Sequence, residues 1–143
     1  MSASDSLKRL VLGIQADLDD YRRLETLLEE QYRAALSHDA SRIGEAGDAV
    51  LVLCEALDIR RRERSRLLTV LTGSGGETAM PAFFAMLPAK LAASCQAAWR
   101  ALQARVEHCR SLNLRNGELM SMQQEVMLRA MHGDGADTYS PQW

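Results

Sequence analysis

Apolar side chains recur every three or four residues along the first part of the chain, as Leu7, Leu10, Val11, Ile14, Leu18, Tyr21, Leu24, Leu28 and Tyr32. That spacing covers one face of a helix, while Asp17, Asp19, Asp20, Arg22, Arg23, Glu29 and Glu30 fall mainly off it. With Ser4 as the capping residue, the pattern predicts a long amphipathic helix over residues 4–36.

The stretch Ser37-His38-Asp39-Ala40-Ser41 is rich in turn and cap residues, so the chain reverses there. A second helix over residues 40–72 follows, on Ile43, Ala46, Val50, Leu53, Leu57, Leu67, Leu68 and Leu71. The two form an antiparallel hairpin. Arg60, Arg61, Arg62 and Arg64 are read as a solvated face that pairs with the acidic first helix, since Glu55, Asp58 and Glu63 stand among them and no aromatic side chain is interleaved. Gly73-Ser74-Gly75-Gly76 stops the helix, because consecutive glycines lose too much entropy in helical backbone. A short apolar helix over residues 81–87 comes next, with Pro81 in its first turn, Pro88 after it, and Phe83 and Phe84 placed to plug one end of a bundle.

The last predicted helix, over residues 89–132, repeats every seven residues on Cys95, Leu102, Cys109, Asn116, Gln123 and Ala130, a coiled-coil seam. Residues 133–143 begin Gly-Asp-Gly, end the helix and read as a flexible tail. The fold class is therefore all-α, a single helical domain over residues 1–132: a long antiparallel hairpin, a short helix and a long C-terminal helix in a coiled-coil-like bundle.

At 1.5 Å per residue the hairpin helices would reach roughly 50 Å and the last helix roughly 65 Å, so its end should overhang. Its stripe changes character there. Asn113, Asn116 and Gln123 interrupt the apolar run, and Met120, Met122, Met127 and Met131 flank it. Methionine adapts to varied apolar partners and seam amides set register at some cost in stability, which suits a reversible binding face. An ordinary coiled-coil core is the alternative reading of the same residues.

Composition narrows the function. Hydrophobic residues make up 47% and charged residues 25%, which supports a folded chain, and a net charge of −2 gives no general attraction to nucleic acid or anionic lipid. No run is apolar enough for a signal peptide or a stable membrane span, and the three cysteines form no Cys-x-x-Cys pair, so a reducing cytoplasm is the simpler setting. Cys54, Cys95 and Cys109 sit at apolar helical positions and read as small hydrophobes. His38, His108 and His132 have no ligand spacing, and nucleotide-binding and hydrolase fingerprints are absent. No catalytic residue, metal ligand, cofactor or small-molecule substrate is indicated, and the chain does not read as an enzyme.

The octet Leu112-Asn113-Leu114-Arg115-Asn116-Gly117-Glu118-Leu119 resembles the L-N-x-x-N-G-x-L signature of the FlgN-type flagellar export chaperones of bacteria, and it falls in the last long helix as theirs does. Residues 28–36, the Arg60 to Leu71 run and Thr138-Tyr139-Ser140-Pro141 fit the same frame. The resemblance implies a cytoplasmic chaperone that binds unassembled hook-filament junction (hook-associated) proteins by their terminal helical segments and hands them to the flagellar type III export apparatus. Client binding would fall on Asn113, Asn116, Gly117 and Leu119 by the motif, and the stripe adds Leu112, Met120, Gln123, Val126 and Met127. Tyr139 would dock to the export gate, although Ser140 and Gln142 depart from the family's T-Y-G-x-x-G tail.

Two rivals remain at the level of sequence. One is a structural coiled-coil or dimerisation module without a client, whose last helix pairs with a second copy, and a homodimer of the client-free chaperone is compatible with the same stripe. The other is a histidine phosphotransfer bundle, which needs an exposed histidine with lysine and glycine close by, whereas Lys8 and Lys90 are the only lysines.

Overall fold

The computed structural model describes residues 2–132, of Glu77 the backbone only. Helix α1 runs Ala3–Leu36 and α2 runs Ala40–Thr72; a 3-10 turn at Glu77–Ala79 leads into α3 at Met80–Ala85, and α4 runs Ala89–His132. No strand occurs among the described residues.

Local chemistry accounts for the ends. Helix α1 is capped two residues before the serine expected to do so: Ser2 is the N-cap, its hydroxyl accepting from the Asp5 backbone N–H at 3.1 Å while the Asp5 carboxylate accepts from the Ser2 N–H. Ser4 lacks such a partner, because the residue three further on is Leu7 rather than an acid or amide. In the hairpin turn His38 adopts φ 55, and Asp39 caps α2 by accepting from the Arg42 N–H at 3.1 Å. Gly73 ends α2 at φ 82, a left-handed conformation that favours glycine. After α3 the Met86 and Leu87 N–H groups bond to Phe83 and Phe84 at 3.0 and 3.1 Å, tightening the chain into a turn just before Pro88.

Helix α1 is the spine, with α2 and α4 both packed along it. Helix α2 returns antiparallel and α4 then runs parallel to α1. The parallel register is set by three bonds: the Cys109 thiol to the Tyr21 carbonyl at 3.6 Å, the Asn116 amide to Leu28 O at 2.7 Å and the Gln123 amide to Ala35 O at 2.7 Å. All three pairs are separated by 88 residues, so α1 and α4 advance together one heptad at a time.

Two apolar clusters fill the bundle. Near the α3 end, Leu10, Ile14, Leu67, Leu68, Trp99 and Leu102 enclose Phe83 and Phe84, so α3 closes that end as its aromatic pair suggests. Further along, Leu24, Leu28, Leu53, Leu57, Cys109 and Leu112 form the second cluster. Each large side chain removed from water there contributes about 1.5–3 kcal/mol.

The basic run of α2 does pair with the acidic first helix. Asp17 receives Arg60 Nε at 2.5 Å and Arg64 Nη1 at 2.7 Å, Arg60 also reaches Asp20, and Arg9 meets Glu63 at 3.2 Å. One point differs from expectation: Asp17, placed off the apolar stripe by its charge, is only 2% exposed. Its burial is tolerated because two guanidinium groups neutralise it, and Arg64 lies over the Trp99 ring at 5.2 Å, linking α2 to α4 across the spine.

Candidate functional site

The signature octet lies on α4, which continues unbroken through Gly117 to His132. Its residues divide by direction. Leu112 and Asn116 point at α1 and are buried. The Asn116 side chain donates to Leu28 O and to Gln31 Oε1 (3.0 Å) and accepts from Arg115, which in turn stacks 3.6 Å over the Tyr32 ring and meets Glu29 at 3.3 Å. Half-buried Gln123 repeats the arrangement one heptad on. These amides therefore fasten α4 to α1, with Asn116 fully enclosed and Gln123 half-enclosed.

Expectation and structure part here for Leu112, Asn116 and Gln123. The seam they belong to was read as a strip the rest of the chain leaves open, yet the matched heptads of α1 cover it as far as Gln123. Beyond Gln123 the helical cover runs out, because α1 stops at Leu36, and past that point only Leu128 is half-buried. Residues 125–132 extend roughly 12 Å past the end of α1.

The other residues implicated by the motif and the stripe lie on or beside open surface. Asn113 and Gly117 are exposed, Leu119 and Met120 are half-buried at the edges of the α1 contact, and Val126 and Met127 are 59% and 60% exposed on the projecting end. A β-carbon added at Gly117 would have no neighbour within 4 Å. Tyr139 and the rest of the tail lie outside the described residues.

Leu114 was not singled out by the sequence, although it stands inside the octet; it is 64% exposed, as are Met122 and Met131 at 61% and 70%. Past Leu112, α4 buries no apolar side chain at all, and Asn116 is its only buried residue. The second half of the longest helix is therefore attached chiefly by hydrogen bonds and ion pairs, with Leu119, Met120 and Leu128 half-buried and its other large apolar side chains facing outward.

The remaining chemistry is quiet. Burial pushes the Cys109 thiol up to about 11, aided by the nearby Glu25 carboxylate, and burial raises Cys95 too, so both are protonated small hydrophobes. Cys54 departs from the expectation made for all three, being exposed on α2. His108 Nε2 lies 3.4 Å from the Glu25 carboxylate, which pairs with Arg105 at 2.5 Å. Among the described residues no metal-holding group of His, Cys, Asp and Glu forms, and no helix is long and apolar enough to cross a membrane.

Comparison with known proteins gives one family. The sequence model of the family described as FlgN protein matches residues 1–142, essentially the whole chain. No curated protein and no solved structure matches it.

Proposed function

This chain belongs to the FlgN family, whose role is that of a flagellar export chaperone, and we propose that it binds unassembled hook-associated proteins through α4 and delivers them to the export apparatus. The observation that carries the reading is the contrast within α4: up to Leu112 its large apolar side chains, Leu91 apart, pack toward the core, and beyond it Leu114, Met122, Val126, Met127 and Met131 are left to solvent. A helix end of that kind gains stability by burying its stripe against a partner helix.

In this scheme the octet has two jobs. Leu112, Asn116 and Gln123 hold α4 at a fixed register on α1, whereas Asn113, Gly117, Leu119, Met120, Val126 and Met127 meet the client. Methionine side chains allow one surface to accept the terminal segments of more than one client. The encounter takes place in the cytoplasm, before export. Tyr139 in the tail is the candidate contact with the export gate.

Calorimetric titration of the full chain with a purified hook-associated protein tests the proposal. Saturable binding is expected, weakened strongly by Val126→Asp with Met127→Asp, which touch only exposed positions. No saturable binding of any hook-associated protein would overturn it. Light scattering separates the rival dimerisation module, which predicts a tight dimer that no client dissociates or enlarges.

A further inference from the structure

Helices α2 and α4 both lie along α1 with their backbones apart, bridged where Arg64 lies over Trp99, and a trough runs between them with α1 as its floor. It encloses about 600 Å³; Tyr21 and Leu24 form the floor, Leu57 stands on one side, and Leu102 and Val106 stand on the other. The rims are charged but neutral in sum: Asp58 pairs with Arg61 at 2.8 Å on α2, and Glu107 pairs with Arg110 at 2.6 Å on α4. Exposed Cys54 also lines the trough.

The same side of α4 continues upward. Val106, Arg110, Asn113, Gly117 and Ser121 follow one another by three or four residues and so form one row. The row leads into a shallow depression around Gly117, where the absent side chain leaves open space. Glu118 and Glu125 border that depression, and neither has an ion-pair partner among the described residues.

We propose that this trough, from Trp99 to Gly117, receives one amphipathic helix of the export client, which completes a four-helix bundle with α1, α2 and α4. The inference rests on the chaperone reading above and adds where the client lies and what it looks like. Three helices with one open side leave an apolar floor incompletely covered, and Tyr21 and Val106 are indeed only half-buried. The trough spans roughly 27 Å, the length of about 18 helical residues. Neutral rims exclude a strongly charged ligand, whereas Glu118 and Glu125, without an ion-pair partner among the described residues, select a helix with Lys or Arg at the end that reaches them. Gly117 is the point of closest approach, where a backbone can come nearer than any side chain would allow.

Cys54 makes the proposal testable on the unaltered full chain, since Cys95 and Cys109 are buried and serve as internal controls. Its alkylation by a maleimide is followed with and without a purified hook-associated protein. Protection of about tenfold is expected when the client is at about ten times its Kd, and Gly117→Leu, which has room and keeps the helix, weakens binding by about tenfold. Glu118→Lys with Glu125→Lys is expected to weaken binding and reduce its salt dependence. A client that binds fully while Cys54 reacts at its free rate, or that is indifferent to Gly117→Leu, overturns the trough and leaves the chaperone reading intact. Failure of every client to bind removes both. Protection that rises with protein concentration alone assigns the trough to a second copy, and protection lost on ending the chain at His132 assigns it to the chain's own tail; either result overturns a client helix as occupant.

Discussion

Asn116 donates its side-chain amide to the main-chain carbonyl of Leu28 at 2.7 Å, from a position that is only 1% exposed. A buried amide in a heptad seam fixes register because any other alignment strands it without a partner. Asn116→Ala is therefore expected to destabilise the protein by about 1–2 kcal/mol. The loss should concentrate beyond Leu112, where no apolar burial compensates. Hydrogen exchange checks this: amides of residues 113–132 should exchange faster while those around Leu102 keep their protection. Uniform acceleration along α4 would count against the amide as a local fastener.

How much of this was legible beforehand follows from what each signal depends on. Helix periodicity is local, so α1 and α2 could be placed from Leu7 to Tyr32 and from Ile43 to Leu71 within a residue or two. The seam of Cys95, Leu102, Cys109, Asn116 and Gln123 was legible as a seam, but a heptad names no partner. That α1 occupies it depends on the parallel run of α4, a consequence of the α3 connection, and on where α1 stops, which the turn after Leu36 decides. The trough was invisible for the same reason, since it belongs to the gap between two helices and to no single stripe. Asp17 was misplaced because charge predicts exposure unless two arginines a helix away converge on it.

That convergence supports a second prediction. Asp17→Ala leaves Arg64, still held over Trp99, without its carboxylate, and leaves Arg60 with Asp20 alone. Breaking one partner of a buried ion group costs about 3–5 kcal/mol, more than the same group contributes over a well-packed apolar replacement. Urea denaturation should show a midpoint far below wild type. Asp17→Ala combined with Arg60→Met and Arg64→Met should recover much of the loss, because the stranded charges are then gone; no recovery would mean the site is held by packing alone.

The buried thiols give a pH signature. Cys109 is raised from 9.0 to about 11 in the folded protein, chiefly by burial, so folding favours its protonated form. The stability this contributes is complete below pH 9 and is lost as pH rises toward about 11, because the unfolded chain releases the proton first. Tyr21 and Cys95, both raised mainly by burial, act in the same direction. Denaturation midpoints measured from pH 8 to 10.5 should therefore fall, and Cys109→Val, which packs but does not titrate, should flatten the slope. An unchanged slope would mean the thiol is not shielded in solution.

Gly117 offers the most economical test of a conflict between stability and use. It lies inside α4, is exposed, and has open space where a β-carbon would stand. Glycine in a helix interior is about 0.5–1 kcal/mol less favourable than alanine, chiefly because more backbone freedom is lost on folding. Gly117→Ala meets no steric obstacle and should stabilise the protein by about that amount, raising Tm by about 2–6 °C. Position 117 carries glycine despite this, which is the pattern expected where a partner's backbone must come close. The free protein should melt higher while the client complex gains less than the free form does, so affinity falls slightly even as stability rises. If Gly117→Ala raised stability and affinity together, close approach at that point would not be what the glycine provides.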